Sequence, residues 1–134
     1  DQLPELRYKN ILSCFNRDLK FLMDHVNGFK TKVNFVMQPV ASWLEKDLSN
    51  EETQLFKILD QDSGFPALNR NIKSIKEKYF SDVESICKNL GVDYLNLNYS
   101  EDFMVDDWLF TDRVHLTDIG YKLSSKLIKE RFNL

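Results

Sequence analysis

A chain of 134 residues with 43% hydrophobic and 29% charged residues can bury one hydrophobic core and is too apolar for a disordered segment. Its net charge of −3, with Lys interspersed among Asp and Glu, offers a phosphate backbone no basic face, so no nucleic-acid partner is expected. Apolar runs fall far short of the roughly 20 residues of a membrane span, so a soluble protein with no membrane span is expected.

Tyr8, Leu12, Phe15, Leu19, Leu22 and Val26 recur at spacings of three and four, which predicts an amphipathic helix from Pro4 to Val26, ended by Asn27-Gly28. His25 near its end suits a structural role at the terminal carbonyls. "VNFVMQPV", Val33 to Val40, reads as a short strand, and because Pro39 has no amide to donate it should finish near Met37 or Gln38. A loop with Trp43 follows. Ser49 or Asn50 caps a short helix over Glu51 to Leu59, and "DQDSGFP" carries turn chemistry.

Leu68, Ile72, Ile75, Tyr79, Val83, Ile86 and Leu90 keep helical spacing up to Gly91, placed for a left-handed cap. "VDYLNLN", Val92 to Asn98, is a second strand. A loop from Tyr99 to Leu116 then leads to a final helix capped by Thr117, with Ile119, Leu123, Leu127 and Phe132 facing inward. Cys14 and Cys87 fall on the apolar sides of two helices and are expected as buried thiols rather than a bridge.

This alternation is that of a βαβ unit with parallel strands, an α/β fold. Two parallel strands alone make a poor sheet for three sizeable helices, because parallel sheets are covered on both faces and are wider. Neighbouring strands are therefore expected from another chain or from an earlier part of a longer polypeptide. The polar opening "DQLPELRYKN" is no signal peptide, and any export signal would lie upstream of Asp1, which makes a cytoplasmic location only the default.

Asp112 and His115 stand three apart in the loop that leads from the second strand into the last helix, on the side where open α/β sheets gather ligands. At that spacing the carboxylate can hold one ring N–H of the imidazole, fix its tautomer and stabilise the imidazolium, leaving the other nitrogen as a base. The alternative is structural: Asp112 makes a turn hydrogen bond and His115 covers the helix entry. Trp43, Phe103, Trp108 and Phe110 lie in loops at the same end of the strands, where they either wall an acyl or sugar pocket or pack against the core. Asp102, Asp106 and Asp107 form an acidic loop without the ligand spacing of a known cation site.

The stretch "DWLFTDRVHLTDIGYKLSSKLI" resembles the last block of the SGNH hydrolases, or GDSL-type esterases and lipases, in which Asp-x-x-His precedes a helix opening on a Thr-x-x-Gly-Tyr-like run. Here these are Asp112, His115, Thr117, Gly120 and Tyr121. "NFVMQP", "LNRNIKSIKEKY" and "LGVDYLNLN" follow the C-terminal half of that family in order and approximate spacing, so the resemblance covers roughly Val33 to Phe132. It implies a flavodoxin-like three-layer sandwich with a parallel sheet, of which residues 1–134 would be the C-terminal part of one domain. It also implies a Ser-His-Asp triad in which His115 is the base and Asp112 orients it, with Trp43, Trp108 and Phe110 as candidate substrate-binding residues, acting without cofactor or metal on a small ester or an acylated carbohydrate.

The family's Gly-Asp-Ser nucleophile block and its oxyanion-hole Gly and Asn have no counterpart here and belong to an expected N-terminal half. Ser63, after a helix and before Pro66, lacks the strand-to-helix turn of an exposed nucleophile, and Ser42, which could reach the same rim from the loop past the first strand, is expected as a polar loop residue beside Trp43. Two alternatives stand beside the esterase: a non-catalytic α/β binding or assembly module, and an acyltransferase using the same triad.

Overall fold

The apolar stripe of the first segment winds into helix α1, Leu3–Val26, in a computed structural model that describes residues 3–29, 31–61 and 64–134. It is followed by strand β1 (Asn34–Met37), helices α2 (Asn50–Leu59) and α3 (Phe65–Asn89), strand β2 (Asp93–Asn96), two 3₁₀ turns at Leu97–Tyr99 and Glu101–Phe103, and helix α4 (Asp118–Phe132). β1 and β2 pair as a two-stranded parallel sheet with α2 and α3 in the crossover, so the described residues have the mixed α/β character expected of βαβ order. β1 stops at Met37, two residues before Pro39, as the missing Pro amide dictates. No helix among the described residues is long and apolar enough to cross a membrane.

The chain gathers into two compact units, Asp1–Phe35 with Glu77–Tyr94 and Val36–Lys76 with Leu95–Leu134. In the first, Leu19 of α1 and Phe80, Val83 and Cys87 of α3 are buried. Phe15 meets Phe35 edge to face at 5.0 Å, and Phe35 stacks on Tyr94 at 6.2 Å. Tyr8 donates to Asp82 at 2.7 Å, while Lys78 pairs with the same carboxylate at 2.8 Å and lies over the Tyr8 ring. The Lys78 and Tyr8 hydrogen bonds hold the Asp82 carboxyl below its ordinary range. Gly91 adopts φ 70°, the left-handed cap expected after α3, and the Val92 amide reaches back to the Cys87 carbonyl at 2.9 Å.

Two expectations for α1 fail. Leu22 is 46% exposed and Met23 is the half-buried residue, because at about 100° per residue the two straddle the seam and the packing takes the latter. Cys14 is exposed, since it lies about 100° from Phe15 and off the buried stripe; Cys87 is buried, and burial pushes its thiol up to about 11. His25 sits as expected at the helix end, with Nδ1 2.9 Å from the Phe21 carbonyl.

The second unit has its own core of Ala41, Leu44, Phe56, Leu97, Phe103, Leu109, Phe110 and Leu116, against which Leu123 and Leu127 of α4 pack. Ser49 caps α2 through a full capping box with Glu52, and Thr117 caps α4 through the Gly120 amide. Contrary to expectation, Ile119 is 50% exposed. Gly120 and Ser124 face inward instead, and they let the helix backbone come close to the preceding loop: a Cβ on Gly120 would stand 2.6 Å from the Leu109 carbonyl oxygen and 2.8 Å from a Leu116 methyl.

Gly120→Ala is therefore predicted to destabilise the protein by about 1–3 kcal/mol through overpacking. Gly28→Ala, where nothing lies within 4 Å of the added carbon, should change stability by less than about 0.5 kcal/mol. Urea denaturation of the two variants checks the contrast, and equal midpoints would contradict it.

Candidate functional site

Asx chemistry, a short antiparallel bridge and a helix cap shape the segment between the 3₁₀ turns and α4. Phe110 and Leu116 form the bridge, Thr111 N–H donates to the His115 carbonyl at 2.9 Å, and Thr117 N–H donates to the Leu109 carbonyl at 2.8 Å. Residues 109–117 are thus a tight hairpin with Asp112 through Val114 at its tip. The Thr117 hydroxyl also donates to the Trp108 carbonyl at 2.8 Å, joining the base of the hairpin to the start of α4.

At the tip, Asp112 uses both oxygens. Oδ1 accepts the amides of Val114 and His115, each at 2.7 Å, and Oδ2 lies 2.7 Å from His115 Nδ1. The turn hydrogen bond and the hold on the imidazole, weighed as alternatives from the sequence, coexist in one carboxylate. Partial burial alone would raise the Asp112 pKa, but the two amides and the ring outweigh it and hold it below the ordinary carboxylate range. An ionised carboxylate only accepts, so the proton between the pair belongs on Nδ1 and the lone pair of the neutral ring on Nε2. The His115 side chain is 71% exposed and Nε2 has no partner among the described residues.

Residues just past β1 and β2 place this tip at the carboxyl ends of the strands. Gln38 donates to the Val114 carbonyl at 3.0 Å, and the Ala41 amide to the Arg113 carbonyl at 3.0 Å. Asn98, 2% exposed, ties the strand ends together: its Oδ1 accepts the Val40 amide, and its Nδ2 donates to the Gln38 carbonyl and the Asn96 side chain, all at 2.9 Å. Arg113 turns the other way, pairing with Asp60 at 2.6 Å and lying over the Phe56 ring.

Beneath the hairpin lies a charged group that the sequence reading passed over. Glu52 and Lys46 pair at 2.5 Å with both side chains wholly buried. Glu52 Oε1 accepts the amides of Leu109 at 2.9 Å and Phe110 at 3.0 Å, Oε2 accepts the Ser49 amide, and Lys46 also donates to the Asp107 carbonyl. Ser49-x-x-Glu52 was the available signal, since it spells a capping box; no sequence signal pointed to Asn98.

The expected pocket residues are dispersed. Phe110 and Phe103 are fully buried in the core, Trp43 donates its indole N–H to the Ile72 carbonyl of α3 at 3.0 Å, and Trp108 keeps 41% of its surface exposed. Ser42 is buried at 5% exposure, and Ser63 lies outside the described residues. No group of three His, Cys, Asp or Glu among the described residues is placed to hold a metal ion, Asp102, Asp106 and Asp107 included. An open groove of about 400 Å³ runs between the 3₁₀ segment and α4, lined by Asp102, Val105, Ile119, Lys122 and Lys126, and does not include His115. No protein-family model matches the chain, and no curated protein matches it.

A depressed carboxyl stabilises its contacts above the unfolded pKa of about 3.9 and loses them as pH falls through the lower folded value. The Val114 and His115 amide protons should accordingly titrate with a shared midpoint below about 3.9 in an NMR pH series. A midpoint at or above that value would contradict the assigned hydrogen bonds.

Proposed function

We propose that these residues are the C-terminal portion of an SGNH-type serine hydrolase with a flavodoxin-like sandwich, acting on a carboxylic ester such as a carbohydrate O-acetyl group. One observation carries the reading: a carboxylate held to Nδ1 of a largely exposed imidazole, at the carboxyl end of parallel strands. The other ring nitrogen is thereby left as a base facing solvent. The resemblance of the Asp112 to Tyr121 stretch to the SGNH block, which adds Thr117, Gly120 and Tyr121 to the pair, supports the same reading.

In the assembled enzyme a Ser outside these residues, on a neighbouring segment of the same polypeptide or of a second chain, attacks the ester carbonyl. His115 Nε2 takes its proton and returns it to the departing alcohol, and Asp112 stabilises the imidazolium in between. Water then attacks the acyl-enzyme by the same relay, releasing the acid and restoring the Ser. The pair needs no metal for this proton transfer. Trp108, with its exposed face two residues from the core residue Phe110, is the candidate wall for the acyl or sugar group.

The test is labelling of the full-length polypeptide by a fluorophosphonate probe, with His115→Ala beside the parent. Loss of the base should slow labelling by about 10³-fold or more. Equal labelling of the two, or no labelling of the parent, would overturn the assignment.

A further inference from the structure

The Glu52 carboxylate makes a contact that a helix cap does not require. A capping box needs one oxygen for the Ser49 amide, and Oε2 supplies it while facing Lys46. Oε1 is left for two consecutive amides, Leu109 and Phe110. In a strand successive N–H groups point to opposite edges, so their convergence on one oxygen marks a bent backbone that the anion holds in place.

The bend feeds directly into the hairpin. The bridge between Phe110 and Leu116 and the bond from Thr111 to His115 couple the incoming arm to the outgoing one, and Asp112 stands two residues beyond Phe110. The same helix grips the tip at its far end, where Asp60, the C-cap of α2, pairs with Arg113. α2 therefore fixes the hairpin from both ends, and the buried charge is the inner of its two holds.

We propose that Glu52, with Lys46 as its counter-charge, is a positioning residue for the Asp112–His115 pair: its carboxylate sets the bend at Leu109 and Phe110, and through it the meeting of the Asp112 carboxylate with the imidazole. The inference rests on the reading of Asp112 and His115 as a catalytic pair. Glu52 touches neither of them, so its effect is read on the pair itself.

The decisive variant is Lys46→Met/Glu52→Leu, which removes the acceptor while leaving no unpaired charge in the interior. NMR on the protein should show the Leu109, Phe110, Val114 and His115 amides exchanging on the order of tenfold faster or more. The Asp112 carboxyl should titrate near the ordinary value of about 3.9 instead of below it. Val83→Ala, a core truncation in the other unit, should lower overall stability and leave the Asp112 titration in place.

If the double variant does not fold, Glu52→Gln decides, because its amide cannot satisfy the Lys46 ammonium and all three backbone amides at once; the Asp112 titration should then move part of the way. An unmoved titration in the folded variant, or an equal shift in Val83→Ala, overturns the positioning role and leaves the catalytic reading standing. An ordinary Asp112 titration in the parent overturns both.

Discussion

The described part of the second unit depends on one buried anion. A carboxylate inside a protein is tolerable only when a counter-charge and hydrogen-bond donors replace its water, and Glu52 has one ammonium and three backbone amides doing so. Because those donors come from residues 46, 49, 109 and 110, satisfying the charge joins the start of α2 to the base of a hairpin 57 residues further along the chain. The apolar core around Phe56, Leu109 and Phe110 packs about that joint, and Gly120 brings α4 against its outer side at a distance only a glycine permits.

The tip of the hairpin has holds of its own, from Gln38, the Ala41 amide and Asp60 on its outside and from Asp112 within. Asp112 closes a turn with one oxygen and holds the imidazole with the other, so the contact that shapes the loop also orients the ring. The exposed ring distinguishes the arrangement from a core histidine satisfied on both nitrogens. It is the geometry a general base requires, and the proposed hydrolase is the reading in which an exposed, oriented Nε2 has a use.

Most helices were legible because their periodicities and caps are local: α3 ends at Asn89, just ahead of the left-handed Gly91, and Ser49 and Thr117 cap where their hydroxyls suggest. The Asp112–His115 pairing was legible for the same reason, being a contact over three residues. The second strand was expected to run to Asn98, but Asn96 turns its side chain onto the Asn98 amide and starts a 3₁₀ turn, while Asn98 is consumed in joining Val40 and Gln38. Such non-local bonds leave no periodic trace. Ile119 and Cys14 were misplaced because apolar letters near a stripe do not define its centre, which close approach at Gly120 and the Phe15–Leu19 seam decide instead. Glu52 was hidden most completely: its cap is written in the sequence, its grip on Leu109 and Phe110 is not.

The chemistry open to the tip turns on which nitrogen of His115 carries the proton. ¹⁵N NMR of the imidazole, at a pH where the ring is neutral, distinguishes the tautomers directly. The account predicts a protonated Nδ1 bonded to Asp112 and an unprotonated Nε2. A ring carrying its proton mainly on Nε2, or exchanging evenly between both nitrogens, would contradict it, because no base would then stand ready at the mouth of the strands.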